Sequence, residues 1–162
     1  EETESVLVRA RDLTRRRLEV VETTAHRKNG QCRASGGRDE SILVVDTDER
    51  VRRVTGRILA RAGWKAVSAA DGAEAVERFE AARRGGRPFR AVIIDPVDPL
   101  GVRDTHTALL LRRIDPGVRL ILSSGDDGDP ALDGLHDQGF DGRLGKPFRA
   151  EEMFGLLASV LS

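Results

Sequence analysis

Two periodicities divide the chain near residue 40. Before that point Val6, Leu13 and Val20 recur seven residues apart, with Ala10, Val21 and Thr24 filling the same side and arginine and glutamate taking the rest. This pattern predicts one amphipathic helix over 1–26, although three heptads are too few to require a coiled coil. Residues 27–40 (RKNGQCRASGGRDE) are polar, glycine-bearing and aperiodic, and read as a flexible linker. After Ser41 short apolar runs alternate with helical spacing. Ile42 to Val45 is a buried strand; Asp48 caps a helix running to about Ala62, with Val51, Val54, Ile58 and Leu59 inward and Gly63 as its stop. Lys65 to Ala69 is a second strand, and Gly72 to Arg84 a helix burying Ala75, Val76 and Phe79 until Gly85-Gly86-Arg87-Pro88 breaks it. Ala91 to Ile94 is a third strand, and a helix follows from about Thr105 to Ile114. Leu120 to Leu122 is a fourth strand, Pro130 to Gln138 a short helix closed by Gly139, Arg143 to Gly145 a weak fifth strand, and Glu151 to Leu161 the last helix.

Strand and helix thus alternate five times. Strands of four or five apolar residues separated by helices imply a parallel sheet covered on both faces. The expectation is a doubly wound α/β domain over 41–162, with residues 1–40 as a helical extension and linker. Sites in such sheets lie at the carboxyl ends of the strands. Strand one delivers Asp46, Thr47 and Asp48 there; strand three delivers Asp95, strand four Ser123 and Ser124, and strand five Lys146 followed by Pro147. Acids, a hydroxyl and a lysine in one pocket fit phosphoryl chemistry. Clustered carboxylates hold a hard divalent cation, cationic groups neutralise phosphoryl oxygens, and an aspartate can be the nucleophile that forms an acyl phosphate.

Four stretches, ILVVDTDERVR at 42–52, AVIIDPVDPLG at 91–101, LILSSG at 120–125 and GKPF at 145–148, resemble the receiver domains of two-component response regulators and hybrid histidine kinases. The wording of 120–148 is most similar to receivers joined to the C-terminal side of sensor histidine kinases. The resemblance implies a flavodoxin-like five-stranded sheet in the order 2-1-3-4-5. It implies that Asp95 accepts the phosphoryl group, and that Asp46 belongs to the acid pocket for Mg2+. Val97 would offer its backbone carbonyl to the metal, and Thr47 or Asp48 is a further candidate ligand. Ser124 would be the mobile hydroxyl, and Lys146 would pair with the phosphoryl group across a bond to Pro147 that is often cis. Pro99 matches the proline of the loop after the acceptor. The partner would be a histidine kinase or a histidine phosphotransfer protein, and the location cytoplasmic.

Three positions depart from the pattern. Thr47 stands where most receivers have a second acid, which should weaken magnesium binding by removing one charge from the cage. Pro96 follows the acceptor, which holds Asp95 extended. Arg143 stands where a switch aromatic is usual; because burying a guanidinium is costly, it is expected to keep its head in water with its stem on apolar surface.

Composition narrows the partners. Lysine plus arginine and aspartate plus glutamate number 27 each, which gives no case for a nucleic acid or membrane partner. Cys32 is the only cysteine, no apolar run reaches the length of a membrane helix, and no signal peptide is visible. The first residue is Glu1 and not methionine, so a fragment of a longer chain is expected, and the 1–26 helix could join copies as a homodimer. His26, His106 and His136 show no metal or phosphotransfer spacing, and Asp126, Asp127 and Asp129 read as a solvated loop. Two rival readings stand beside the phosphoacceptor. Thr47 and Arg143 motivate a binding module that keeps the fold without efficient phosphorylation. Asp46-Thr47-Asp48 also resembles the DxD of haloacid-dehalogenase-type phosphatases, but the acids after the lysine motif, Glu151 and Glu152, fall in a helix.

Overall fold

The chain is described by a computed structural model over residues 40–96, 105–125 and 139–162. In order these form β1 (Ser41–Val45), α1 (Glu49–Arg61), β2 (Lys65–Ala69), α2 (Gly72–Arg84), β3 (Ala91–Ile94), α3 (His106–Ile114), β4 (Leu120–Ser124), β5 (Gly142–Gly145) and α4 (Ala150–Leu161). The strands make one sheet in the order β2-β1-β3-β4-β5, and every neighbouring pair is parallel. The doubly wound architecture and strand order expected from the sequence are therefore observed. The expected helices over 1–26 and 130–138 lie outside the described residues.

Alternation along each strand sorts side chains into two cores. Leu43, Val45, Val92, Ile94, Leu120 and Leu122 face α2 and α3, where they meet Ala75, Phe79, Ala108 and Leu111. Ile42, Val44, Ile93 and Ile121 face the other way and meet Ile58 and Leu59 of α1 and Met153, Leu157 and Val160 of α4. Central strands buried on both faces cannot slip by one residue without exchanging the two cores, so the register is held tightly. That register matters for function because it decides which strand-end residues are neighbours.

Local signals place the helix ends. Asp48 caps α1 by accepting from the Arg50 N–H at 2.8 Å, and Asp71 caps α2 by accepting from the Glu74 N–H at 2.9 Å. Gly63 follows α1 with φ at 87°, a left-handed conformation that a side chain would oppose. The inner face of α1 includes Thr55, which the apolar pattern passed over, while Val54 is only partly buried. β4 runs two residues further than its apolar core suggests, because Ser123 and Ser124 continue the ladder opposite Leu144 and Gly145. Hydroxyls carry no apolar signal, so their strand pairing was not visible in the pattern.

The far edge of the sheet is held by Arg112 of α3. Its guanidinium donates to the carbonyls of Pro116 and Val118, to that of Gly139 just before β5, and to Asp141 Oδ2 at 2.6 Å. The same Asp141 oxygen accepts from the Leu120 N–H at 2.8 Å. One arginine thus ties α3, the start of β4 and the turn into β5. Arg112→Ala leaves several partly buried acceptors without a donor, and is expected to cost about 1–3 kcal/mol of unfolding free energy. Urea denaturation checks this, and an unchanged midpoint would show that water replaces the guanidinium without loss.

Candidate functional site

The carboxyl edge of the sheet gathers the chemistry. β1 and β3 pair with Val45 opposite Ile94, so the next residue on each strand, Asp46 and Asp95, are lateral neighbours. The backbone confirms the step: the Asp95 N–H donates to the Val45 carbonyl at 2.9 Å, and the Asp46 N–H donates to the Ala69 carbonyl at 3.2 Å. β4 and β5 end with Ser124 opposite Gly145, and the Lys146 N–H then donates to the Ser124 carbonyl at 2.6 Å. The Lys146–Pro147 bond is cis, as the resemblance implied.

The lysine side chain closes the group. Lys146 Nζ donates to Asp46 Oδ2 at 2.5 Å and to Asp95 Oδ2 at 2.7 Å. Residues far apart in sequence meet because two strand pairs end at the same edge. The side chains of Asp46 and Lys146 are almost closed to solvent, at 4% and 7% exposure, whereas Asp95 keeps 17%. Asp95 is therefore the carboxylate of the pair that an incoming group can reach. Ser124 is buried at the end of β4 beside this cluster.

Electrostatics follow from burial. Desolvation pushes the Asp46 carboxyl above its ordinary value, more than Lys146 and the Asp48 N–H pull it down, and Asp95 adds to the rise. Burial alone would lower the Lys146 ammonium. Asp46 and Asp95 together outweigh it, so the net shift is upward and the lysine is charged at neutral pH.

The remaining sequence candidates divide. Asp48 is exposed, and its carboxylate is spent on capping α1; Thr47 is exposed as well. Val97, Pro99 and the acids at 126–129 lie outside the described residues. Arg143 is half-buried on β5 opposite Leu122, and its Nε is buried and makes no hydrogen bond. The expectation that its whole head stays in water is corrected at that atom. The strand alternation that sends Leu144 into one core turns the base of the guanidinium toward the other side of the sheet.

Two residues at the site were given no role by the sequence reading. Arg52 Nη1 donates to the Asp46 carbonyl at 2.6 Å, so α1 grips the backbone of the strand end. Glu74 Oε2 accepts from the Ala70 N–H at 2.6 Å and steadies the turn after β2; this bond first, and Arg78 next, hold its carboxyl below the ordinary value. Both lie on helix faces whose charge reads as solvated, and only the meeting of loops gives them a partner.

The donor set admits a magnesium ion of one kind. Among the described residues no three acids, histidines or cysteines cluster as a metal cage. Two adjacent carboxylates are nevertheless what Mg2+ commonly uses, with water and phosphoryl oxygens completing its octahedron. The residues fit a water-rich cation held by Asp46 and Asp95, not one enclosed by protein.

The comparisons with known proteins agree with this fold. The chemotaxis protein CheY4 of Vibrio cholerae superposes with a TM-score of 0.66 at 24% identity, over 75% of this chain and 98% of that one. The fold is that of the CheY-like receiver domains. A receiver domain protein of Methanospirillum hungatei JF-1 gives 0.61 at 22% identity over 72% of this chain and 88% of its own. The signal receiver domain of an HD domain-containing protein from Pseudomonas fluorescens Pf-5 gives 0.63 at 20% identity over 81% and 93%. No protein-family model and no curated protein matches the sequence. Among the described residues of this receiver fold, no helix is long and apolar enough to cross a membrane.

A pH-dependent penalty should follow loss of the lysine. In Lys146→Met, Asp46 faces Asp95 with burial unopposed, and its carboxyl rises further. A carboxyl whose folded pKa exceeds its unfolded one holds its proton more tightly in the folded state. Stability is then greatest below the unfolded pKa and is lost as pH rises from there through the folded pKa. The variant is expected to lose about 1.5–3 kcal/mol at neutral pH, the range for hydrogen bonds to charged groups, and to recover part of it under mildly acidic conditions. Denaturation at both pH values checks this; an equal loss at both would show that the two carboxylates do not repel there.

Proposed function

We propose that the chain is a phosphoacceptor receiver module of two-component signalling, taking a phosphoryl group from a phosphohistidine onto Asp95. The observation that supports this reading is the single ammonium of Lys146 bonded to both Asp46 and Asp95 at the carboxyl edge of the sheet. An Asp95 carboxylate oxygen attacks phosphorus while the phosphorus–nitrogen bond breaks. The electron pair of that bond returns to the imidazole of the donor, and the product on the chain is an acyl phosphate. Lys146 lies within reach of the new equatorial oxygens and exchanges its bond to the acceptor carboxylate for one to the phosphoryl group. Ser124, at the end of the neighbouring strand, is the hydroxyl that can donate to the same group. Arg52 and the Asp48 N–H hold Asp46 in place meanwhile.

On this reading Asp46 and Asp95 would hold magnesium, with the Val97 carbonyl as the further donor that the resemblance implies, and the ion would supply positive charge to the transferring group. The donor is a histidine kinase or a histidine phosphotransfer protein, which carries with it a cytoplasmic location. Attachment to the C-terminal side of a sensor kinase is the arrangement that the wording of 120–148 favours. Arg143 is a static part of the signalling surface, because a guanidinium with a buried Nε cannot alternate as an aromatic ring does.

Incubation with acetyl phosphate and magnesium, read by intact mass, is expected to add one phosphoryl group to the chain and none to Asp95→Asn. Uptake that persists in the variant would place the nucleophile elsewhere. Thr47→Asp is expected to tighten magnesium binding several-fold by restoring a carboxylate beside Asp46. Calorimetry is the suitable readout, because Trp64 precedes β2 at the opposite edge of the sheet. Unchanged affinity would show that position 47 does not face the ion.

A further inference from the structure

A groove opens at the end of the sheet opposite to Asp95. Ser41 and Lys65, the first residues of β1 and β2, line it together with Val67 of β2, Ala82 of α2, Arg87 and Phe89. Its volume is about 270 Å3. That is room for roughly nine non-hydrogen atoms, at the about 30 Å3 that a molecule of liquid water takes. β1 separates the groove from the carboxylates: from Ser41 to Asp46 is roughly 16 Å, at about 3.3 Å per residue. The groove therefore shares no residue with the site at the carboxyl edge.

Its lining has two kinds of surface. Val67, Ala82 and Phe89 are apolar, and Phe89 is fixed by stacking on Phe79 with ring centroids 6.1 Å apart. Lys65 and Arg87 are exposed cations, and neither side chain makes a hydrogen bond or an ion pair among the described residues. The arginines around them differ in this respect. Arg90 pairs with Glu40 at 3.4 Å, Arg84 pairs with Glu80 at 3.2 Å, and Arg83 donates to the Ile114 carbonyl. The hydroxyl of Ser41 is a further donor in the lining.

We propose that this groove binds a small monocarboxylate with an apolar body. The body displaces water from Val67, Ala82 and Phe89, and the carboxylate accepts charge-assisted hydrogen bonds from Lys65 and Arg87. An apolar lining with two cations answers both halves of such a molecule, whereas a neutral one leaves the cations unused and a cationic one is repelled. A phosphate dianion suits the groove less well. Phosphate sites commonly use helix N-termini, but α2 ends here, and its last carbonyls present negative partial charge. The inference goes beyond the phosphoacceptor reading and is independent of whether Asp95 is phosphorylated.

The test titrates the full chain with heptanoate, 1-heptanol and heptylamine, read by calorimetry and by the amide NMR shifts of Val67 and Phe89. Heptanoate is expected to bind saturably, about tenfold or more tighter than heptanol, with heptylamine weaker still. The double reversal Lys65→Glu/Arg87→Glu is expected to weaken heptanoate by about tenfold or more and to leave heptanol unchanged. Ala81→Phe, at an exposed position of α2 that also lines the groove, fills it and is expected to weaken both. Circular dichroism and thermal melting check that the two variants fold. Heptanoate that binds no tighter than heptanol overturns the proposal. So does heptanoate binding that both variants leave unchanged, or an absence of saturation at millimolar concentrations.

Discussion

One ammonium group holds the functional edge together. Lys146 Nζ lies between Asp46 and Asp95, two carboxylates that the β1–β3 register makes neighbours and that would otherwise repel in a poorly hydrated place. Its position depends on the other half of the sheet. The Lys146 N–H bonds the Ser124 carbonyl, so the lysine is aimed by the last step of the β4–β5 ladder.

The rest of the fold serves that edge by resisting slippage. β1, β3 and β4 are buried along their whole length, and alternate residues feed different cores. A shift of one residue would move Leu43 and Val45 out of the α2–α3 side and carry Asp46 to the wrong face of the sheet. At the opposite edge, Arg112 and Asp141 pin the last turn of α3 to the starts of β4 and β5. The chemistry lies at one end of the strands and the clamp at the other, and the strands between them transmit position, not flexibility.

Charge is distributed unevenly in a molecule whose total is zero. The carboxyl edge of the sheet gathers two acids about one lysine. α1, whose first turn borders that edge, carries the opposite excess along its outer face.

What the sequence by itself determined is the order of elements, the fold class and the identity of the strand-end residues. Apolar runs of four or five are enough to mark β1 and β3, and Asp48, Gly63 and Asp71 mark helix ends through backbone chemistry that acts within a few residues. Asp46, Asp95 and Lys146 were legible because each follows a strand, and Ser124 because it stands at the end of one, which is a local property. Tertiary structure alone decided the rest. That Asp48 caps a helix while Asp46 meets the lysine, that Arg52 reaches the Asp46 carbonyl, that Thr55 is buried and that Arg143 buries its Nε all depend on which elements lie beside them. A charged or hydroxyl side chain carries the same local signal whether it faces water or a partner, and only the packing of distant strands and helices supplies the partner that distinguishes them.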